Sequence, residues 1–373
     1  MDFALNEHQR DVQRRAREYA VSTVAPVASE LDRKGRCPAD ILAGVADLGL
    51  LGGESDFVAY VAGLVELSKA WASLGAIVAV HNSLVCHPIS HFGSDAQKKK
   101  YLPLLTEQTH LGCYAFAEPL AGSDAGAIGT TAVLVGDAYV LNGHKQFVTS
   151  GRHARVSLVY ALTDPSKGRD GLSAFIVDTD TPGFMVGESN DMLGLRATET
   201  VDLLLNNCRV PKENLLGKLN QGFAIARAIV ESGRIDIAAQ AVGIGEACLE
   251  QSIAKAKSRR QFGRPIAEFE AIQWMVADMS TEIDASRLLM FRAAAMRAKN
   301  REDARLTMAA SMAKLFASEA ANRAAYNALQ IFGGHGYLTE YPVERLFRDA
   351  RAMTLYEETS EIQRLVIERE LAR

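Results

Sequence analysis

The hydrophobic pattern of this chain changes period twice, and that double change limits what it can fold into. Up to about residue 110 the apolar positions recur at helical spacing. From about 111 to about 211 they fall in short runs rich in β-branched and aromatic residues, with Gly, Pro, Asn and Asp between them. After Gly217 the helical spacing returns and stays. This is the order of an α+β chain, mainly α. It predicts an N-terminal helical domain (1–111), a middle β-domain (112–215) and a C-terminal four-helix bundle (216–373).

In the first block the spacing predicts helices over 6–19, 41–51, 59–74, 76–91 and 94–105. The segment 76–91 is apolar enough to read as a buried helix, and Pro103 predicts a break near the end of 94–105. In the second block, 131–141 is β-rich. Asn142-Gly143 predicts a hairpin turn, because both residues tolerate positive φ, and 145–149 would be the return strand. Further strands are expected at 156–162, 172–178, 184–186 and 200–205. The third block predicts helices over 222–258, 268–299 and 303–332, and a last one within 350–371. Ala, Ser and Met on their inner faces suggest bundle packing.

Composition removes several function classes. At 373 residues the chain can bury a core without staples. A net charge of −4 offers no basic excess for nucleic acid or an anionic membrane. The five cysteines (Cys37, Cys86, Cys113, Cys208, Cys248) are scattered and never paired as C-x-x-C. That argues against a disulfide framework or a zinc site, so no metal is expected, and it fits a reducing, cytoplasmic setting. Met1-Asp2-Phe3-Ala4 does not open a leader, and no apolar run is expected to approach the ~20 residues of a membrane span.

Five stretches carry possible chemistry. Glu118–Gly126 (EPLAGSDAG) lets a ligand approach the backbone closely, although alone it reads equally as an entry turn. Phe147-Val148-Thr149 pairs a stacking ring with a hydroxyl at a strand end, where an aromatic is ordinarily core. Arg259–Pro265 (RRQFGRP) could hold a pyrophosphate, or simply complement a helix dipole. Gln330–Tyr337 (QIFGGHGY) is a helix stop that could also present N–H groups to an anion. Tyr356–Arg364 (YEETSEIQR) puts a carboxylate, a possible general base, just before a helix that Thr359 or Ser360 could cap.

In order and flanks these stretches resemble the acyl-CoA dehydrogenase family, most closely its short-chain members, over nearly the whole chain. Arg345 and Arg348-Asp349-Ala350-Arg351 match as well. The resemblance implies an FAD-dependent oxidoreductase acting on a CH–CH group. It would make an α,β-double bond in a short acyl thioester, carried by CoA or by an acyl-carrier protein. It also implies a homotetramer and an electron acceptor such as an electron-transfer flavoprotein. Glu357 matches the base that removes the α-proton, and the hydride then passes to flavin N5. Phe116, Ala117 and Ser123 match the first flavin-contacting stretch, and Phe147 and Thr149 the pair beside the flavin ring. Arg259, Phe262, Gln330 and Gly334 match positions that reach a partner subunit's FAD, while Thr359 and Glu361 match its diphosphate and adenosine region. Ser123, Glu231, Arg234 and Arg369 fall where the family handles the thioester and its arm. Other branches place the base at the position of Gly233.

Four departures qualify the likeness. Glu358 stands where a Gly usually follows the base, and would raise the base's pKa if buried and add bulk near the substrate carbonyl. Phe147 replaces a Trp, Ala117 replaces a Ser or Thr, and the loop Leu51-Gly52-Gly53-Glu54-Ser55 is short. These leave two other readings: a flavin oxidase or monooxygenase of the same fold, and a non-catalytic flavoprotein.

Overall fold

The computed structural model describes residues 4–52, 56–106 and 110–372. The chain opens with α1 (Glu7–Tyr19), whose start is set by a reciprocal cap. The Asn6 side chain accepts from Gln9 N at 2.8 Å, and Gln9 Oε1 accepts from Asn6 N at 3.0 Å. Then come α2 (Ala25–Lys34), α3 (Ala39–Asp47), α4 (Phe57–Ala70), α5 (Ala72–Ala79), α6 (His87–Phe92) and α7 (Asp95–Thr106). The helix α2 was not anticipated; Gly35 ends it at φ 62°.

Two helix expectations shift. The run 59–74 is not one helix: buried Trp71, extended at φ −159°, separates α4 from α5. Pro103 does not break α7, which continues to Thr106 with Tyr101 and Leu105 anchored in the core on either side. From α5 the helix runs on through a π-helical stretch, Val80–Cys86, into α6. This run, Ala72–Phe92, is 21 residues long and apolar enough to cross a membrane, contrary to the expectation that no such run exists. Here it is the inner helix of the N-terminal layer, with every residue from Ala72 to Cys86 buried. Of the short loop at 51–55, residues 53–55 lie outside the described residues.

The middle block is an eight-stranded sheet: β1 (Leu111–Ala115), β2 (Thr131–Val135), β3 (Ala138–Val148), β4 (Ala154–Leu162), β5 (Leu172–Asp178), β6 (Phe184–Ser189), β7 (Val201–Pro211) and β8 (Leu215–Leu216). The order is β6-β7-β3-β2-β4-β5-β8, and β1 pairs in parallel with β4. The hairpin expected at Asn142-Gly143 is instead made at Gly136-Asp137, with Val135 facing Ala138 and Gly136 at φ 68°. The strand β3 passes straight through Asn142-Gly143. Gly143 is there for close approach: a Cβ would stand 2.1 Å from Thr130 Oγ1. Asn142 Oδ1 accepts from Asn207 N at 2.8 Å, where the β3–β7 register shifts.

The last block is α8 (Gly222–Ser258), the small hairpin β9 (Arg260–Gln261) and β10 (Arg264–Pro265), α9 (Glu270–Lys299), α10 (Leu306–Phe332), α11 (Pro342–Ala352) and α12 (Ser360–Leu371). The segment 350–371 therefore holds the end of one helix, a loop, and a second helix. The helix α8 packs on α4, α9 and α10. Its residues from Ser232 to Cys248 are all buried, whereas its first turns reach the surface.

Candidate active site

The loop from Met353 to Thr359 joins α11 to α12, and Thr359 caps α12 by accepting from Ile362 N at 3.4 Å. Inside it, two successive non-glycine residues are left-handed, Glu357 at φ 49° and Glu358 at φ 68°. Each such residue costs about 1–2 kcal/mol, so the surroundings must hold them in place. Lys314, wholly buried on α10, donates from Nζ to the Glu358 carbonyl at 2.5 Å. Arg234 on α8 donates from Nε and Nη2 to Glu358 Oε2 at 2.9 and 2.6 Å, and Gln363 adds a donor at 3.2 Å. The Tyr356 hydroxyl donates to Gln240 Oε1 at 2.5 Å. Three helices thus clamp the loop.

The clamp aims the Glu357 carboxylate at Gly233. A Cβ on Gly233 would lie 2.9 Å from Glu357 Oε2 and 3.5 Å from Leu84 Cδ2. A side chain at 233 and the side chain of Glu357 therefore compete for one space. Burial pushes the Glu357 carboxyl up to about 7, and the charge of Glu358 adds to this, while Lys314 and Arg234 oppose it. A carboxylate tuned to neutrality is a competent proton acceptor at working pH.

The pairing changes the reading of two residues expected to handle substrate. Arg234 is 4% exposed and turns its guanidinium to Glu358, and the Glu358 carboxylate turns to Arg234 and Gln363. They position the loop; the structure does not direct either at a substrate carbonyl. Glu231 is half-buried and accepts from the Thr307 hydroxyl, with burial raising its pKa. Arg369 is exposed on α12.

Facing this loop is the end of β1. Tyr114 and Phe116 stack at 5.8 Å, and both meet buried Tyr160 edge-on, at 5.4 and 5.1 Å. The charges of Glu357 and Glu358 help hold Tyr114 well above the usual phenol range, after burial. The stretch beyond is pinned by a buried ion pair. Lys145 Nζ donates to Glu118 Oε1 at 2.7 Å and to the Phe116 carbonyl at 3.1 Å. Glu118 Oε2 accepts from Gly129 N at 2.7 Å, and the Ala117 carbonyl from Gln146 N at 2.9 Å. Ser123 lies exposed on the loop, and nothing stands within 4 Å of where a Cβ would sit on Gly122.

Phe147 is 60% exposed at φ 57°, a large ring held out of the core on a strained backbone, with Thr149 half-buried beside it. Ser360 Oγ is buried with no hydrogen-bond partner among the described residues. Near Ser360 and Glu361, at the N-terminus of α12, Glu319, Arg323, Arg351, Asn322 and Thr354 line a cavity of about 290 Å³. An exposed ring, an open glycine loop and an orphaned hydroxyl at a helix N-terminus fit a planar heteroaromatic ring carrying a diphosphate.

Arg259, Phe262, Gln330 and Gly334 form a separate group. All are exposed, and they lie where α8 and α10 end side by side; Lys255 sits over the Phe332 ring at 5.0 Å. Gly233 to Arg259 is 26 residues of nearly continuous helix, about 39 Å at 1.5 Å per residue. One chain therefore does not bring this group to its own Glu357.

Sequence reasoning missed Lys314, Gln363 and the Lys145–Glu118 pair. Lys314 had a signal: it shares the buried face of α10 with Ala310, Ala313, Ala317 and Ala321, and a lysine on an alanine face needs a partner. Lys145 and Gln363 carried no comparable pattern.

The chain matches the acyl-CoA dehydrogenase N-terminal domain over residues 6–109, the middle domain over 113–208 and the C-terminal domain over 220–372. It is 43% identical to an acyl-CoA dehydrogenase of Bacillus subtilis over 98% of both chains. Among solved structures it is similar to butyryl-CoA dehydrogenase from Megasphaera elsdenii, with 38% identity, TM-score 0.97 and full coverage of both chains. A chain from work on the electron transferring flavoprotein of Acidaminococcus fermentans is 41% identical at TM-score 0.97, again with full coverage of both.

Proposed function

This chain belongs to the acyl-CoA dehydrogenase family, and we propose that Glu357 is the base with which it removes the α-proton of a short acyl thioester. The observation carrying this is the Glu357 carboxylate, clamped on a strained loop against Gly233 and poised near neutral pKa. The family chemistry is FAD-dependent oxidation at a CH–CH group.

FAD, when bound, supplies the acceptor for the β-hydrogen and its electron pair. Phe116, Ala117, Ser123, Phe147 and Thr149 would hold the ring, and Thr359 and Glu361 the diphosphate end. The chain's own part is to bring the α-carbon to Glu357 Oε2 while keeping water out. Leu84, Ile229 and Val80 form a buried apolar cluster beside that oxygen, with Tyr114 packed on it. Raising the carboxyl to about 7 strengthens the base and leaves it ionised above neutrality. In this reading Glu231 and Arg369 would meet the thioester's polar arm. The divisions 1–111, 112–215 and 216–373 would act as three structural units.

Anaerobic titration with butyryl-CoA, following loss of the flavin's visible absorbance, tests the reading, with butyryl-loaded carrier protein as the second arm. The bleaching rate is expected to climb as pH rises through about 7, since the ionised form is the active one. Absence of bleaching by any acyl thioester, with FAD bound, leaves a non-catalytic flavoprotein.

The assembly is a homotetramer in this reading, in the cytoplasm, with an electron-transfer flavoprotein as acceptor. Support comes from the separation of Arg259, Phe262, Gln330 and Gly334 from Glu357 within one chain: they complete a site only in a neighbour. Flavin retention and assembly are then linked by mass action. Arg259→Ala is expected to lose FAD on dilution as its oligomer dissociates. A flavin-saturated wild-type monomer would refute this.

A further inference from the structure

Where the N-terminal helices meet the β-domain, the structure leaves a cavity of about 160 Å³ that the reaction does not use. None of its lining residues belongs to the base loop or to the flavin-facing stretches. Leu42 on α3, Ile77 on α5, Leu111 on β1 and Ala197 are buried and make an apolar floor. Cys37 completes that floor, and burial pushes its thiol up to about 12, so it stays uncharged. Arg36, His110 and His153 are exposed and form the mouth.

The polar groups of the cavity do not cancel. Glu199 is the only carboxylate among the described lining residues, and its Oε2 pairs with His153 Nε2 at 2.8 Å. The Arg36 guanidinium makes no hydrogen bond or ion pair among the described residues. Neither does the Ser150 hydroxyl, although Ser150 is only 4% exposed. The cavity therefore offers an unmatched cation and an unmatched buried hydroxyl above an apolar floor.

Backbone geometry marks the same place. Ser150 is left-handed at φ 60° and Glu199 at φ 44°, and Ser150 N donates at 2.8 Å to the carbonyl of Thr198, just before Glu199. Residues held in such conformations cluster at ligand clamps and other functional sites. Size limits the ligand: cavities for drug-sized molecules run to about 300–1,000 Å³, so this one takes a short chain. The guanidinium selects a carboxylate, which it binds through paired N–H groups, and the floor selects an aliphatic tail.

We propose that this cavity binds a short-chain aliphatic carboxylate, its head on Arg36 and Ser150 and its tail on Leu42, Ile77 and Leu111. The site lies outside the dehydrogenase reading and does not depend on it. A bound carboxylate bridges the start of α3 to the 197–199 loop, and so braces Ser150, the residue that follows the flavin-facing stretch.

Calorimetric titration of the FAD-loaded enzyme with acetate, butyrate and 1-butanol tests this. Butyrate is expected to bind with a dissociation constant of about 1 mM. Each buried methylene contributes about fourfold in affinity, so acetate should bind about tenfold more weakly. 1-Butanol keeps the tail but lacks the charge, and should bind severalfold more weakly than butyrate. Arg36→Gln is expected to weaken butyrate about tenfold and to erase the rise in Tm that butyrate gives the wild type. Cys37→Leu fills the floor and should abolish butyrate binding with Arg36 still in place. Arg36 is exposed, so its variant folds and decides the matter even if Cys37→Leu does not fold. Butyrate binding that either folded variant leaves unchanged overturns the proposal, since the ligand then sits elsewhere. Acetate or 1-butanol binding as tightly as butyrate also overturns it, as does the absence of saturable butyrate binding to the wild type.

Discussion

Glu357→Gln is expected to yield a folded, yellow protein that butyryl-CoA barely bleaches. The amide keeps the size of the side chain and the backbone N–H, so substrate and flavin still bind. It removes the basic lone pair at the atom that faces Gly233, 2.9 Å from a Cβ there. Positioned proton transfer is worth about 10²–10⁴-fold, and bleaching should slow by at least that. Glu358, although adjacent, is not expected to rescue the reaction, because its Oε2 already accepts from Arg234 and Gln363. If Glu357→Gln bleaches within a few-fold of wild type and the added change Glu358→Gln abolishes this, Glu358 is the base. A second variant uses the shared space: Glu357→Gly with Gly233→Glu puts a carboxylate where the Glu357 oxygen now lies, and should recover part of the lost rate. Single-turnover stopped-flow on all four proteins decides between these outcomes.

Arg234→Gln is expected to give the largest loss of stability. Arg234 is 4% exposed, and breaking a buried pair by removing one partner costs about 3–5 kcal/mol. The lower end applies, because the Glu358 side chain retains 34% exposure. The pH dependence has a fixed sign. Arg234 draws the Glu357 carboxyl down from where burial and Glu358 push it, so its loss moves the acid limb of flavin reduction above the wild-type value of about 7. A carboxyl whose folded pKa stands above its unfolded one stabilises the fold at low pH and loses that contribution as pH rises between the two. The fall in Tm should therefore be larger at pH 8 than at pH 5. The double change Arg234→Gln with Glu358→Gln removes the stranded charge and should recover most of the Tm. Equal losses in the single and double variants would show that packing, and not charge, holds the loop. The same balance explains Glu358 in place of glycine. Glycine would relieve about 1–2 kcal/mol of left-handed strain, but strand Arg234 at a greater cost.

Helix and strand identity were legible because they depend on local side-chain spacing. The bounds 222–258 and 172–178 read from the pattern are those of α8 and β5, since uninterrupted apolar faces leave few alternatives. Local punctuation was less reliable. Asn142-Gly143 has the chemistry of a turn, yet Thr130, thirteen residues before Gly143, needs that glycine's bare Cα, and a turn two residues long formed at Gly136 instead. Pro103 stayed inside a helix because Tyr101 and Leu105 are buried on both sides of it. In both cases a distant contact outweighed a local preference of about 1–3 kcal/mol.

For the site, the sequence by itself determined the family and named the base and flavin-contacting stretches proposed here, because motif order along a chain survives without coordinates. It could not determine what Glu358 does. Read locally, a second carboxylate next to the base is a liability; in the fold it is the anchor that Arg234, 124 residues earlier, and Lys314, 44 residues earlier, hold. Nor could it show that Gly233 and Glu357 share one space. Charge pairing and burial are properties of distance in space. They were fixed only when the helices carrying these residues packed against one another.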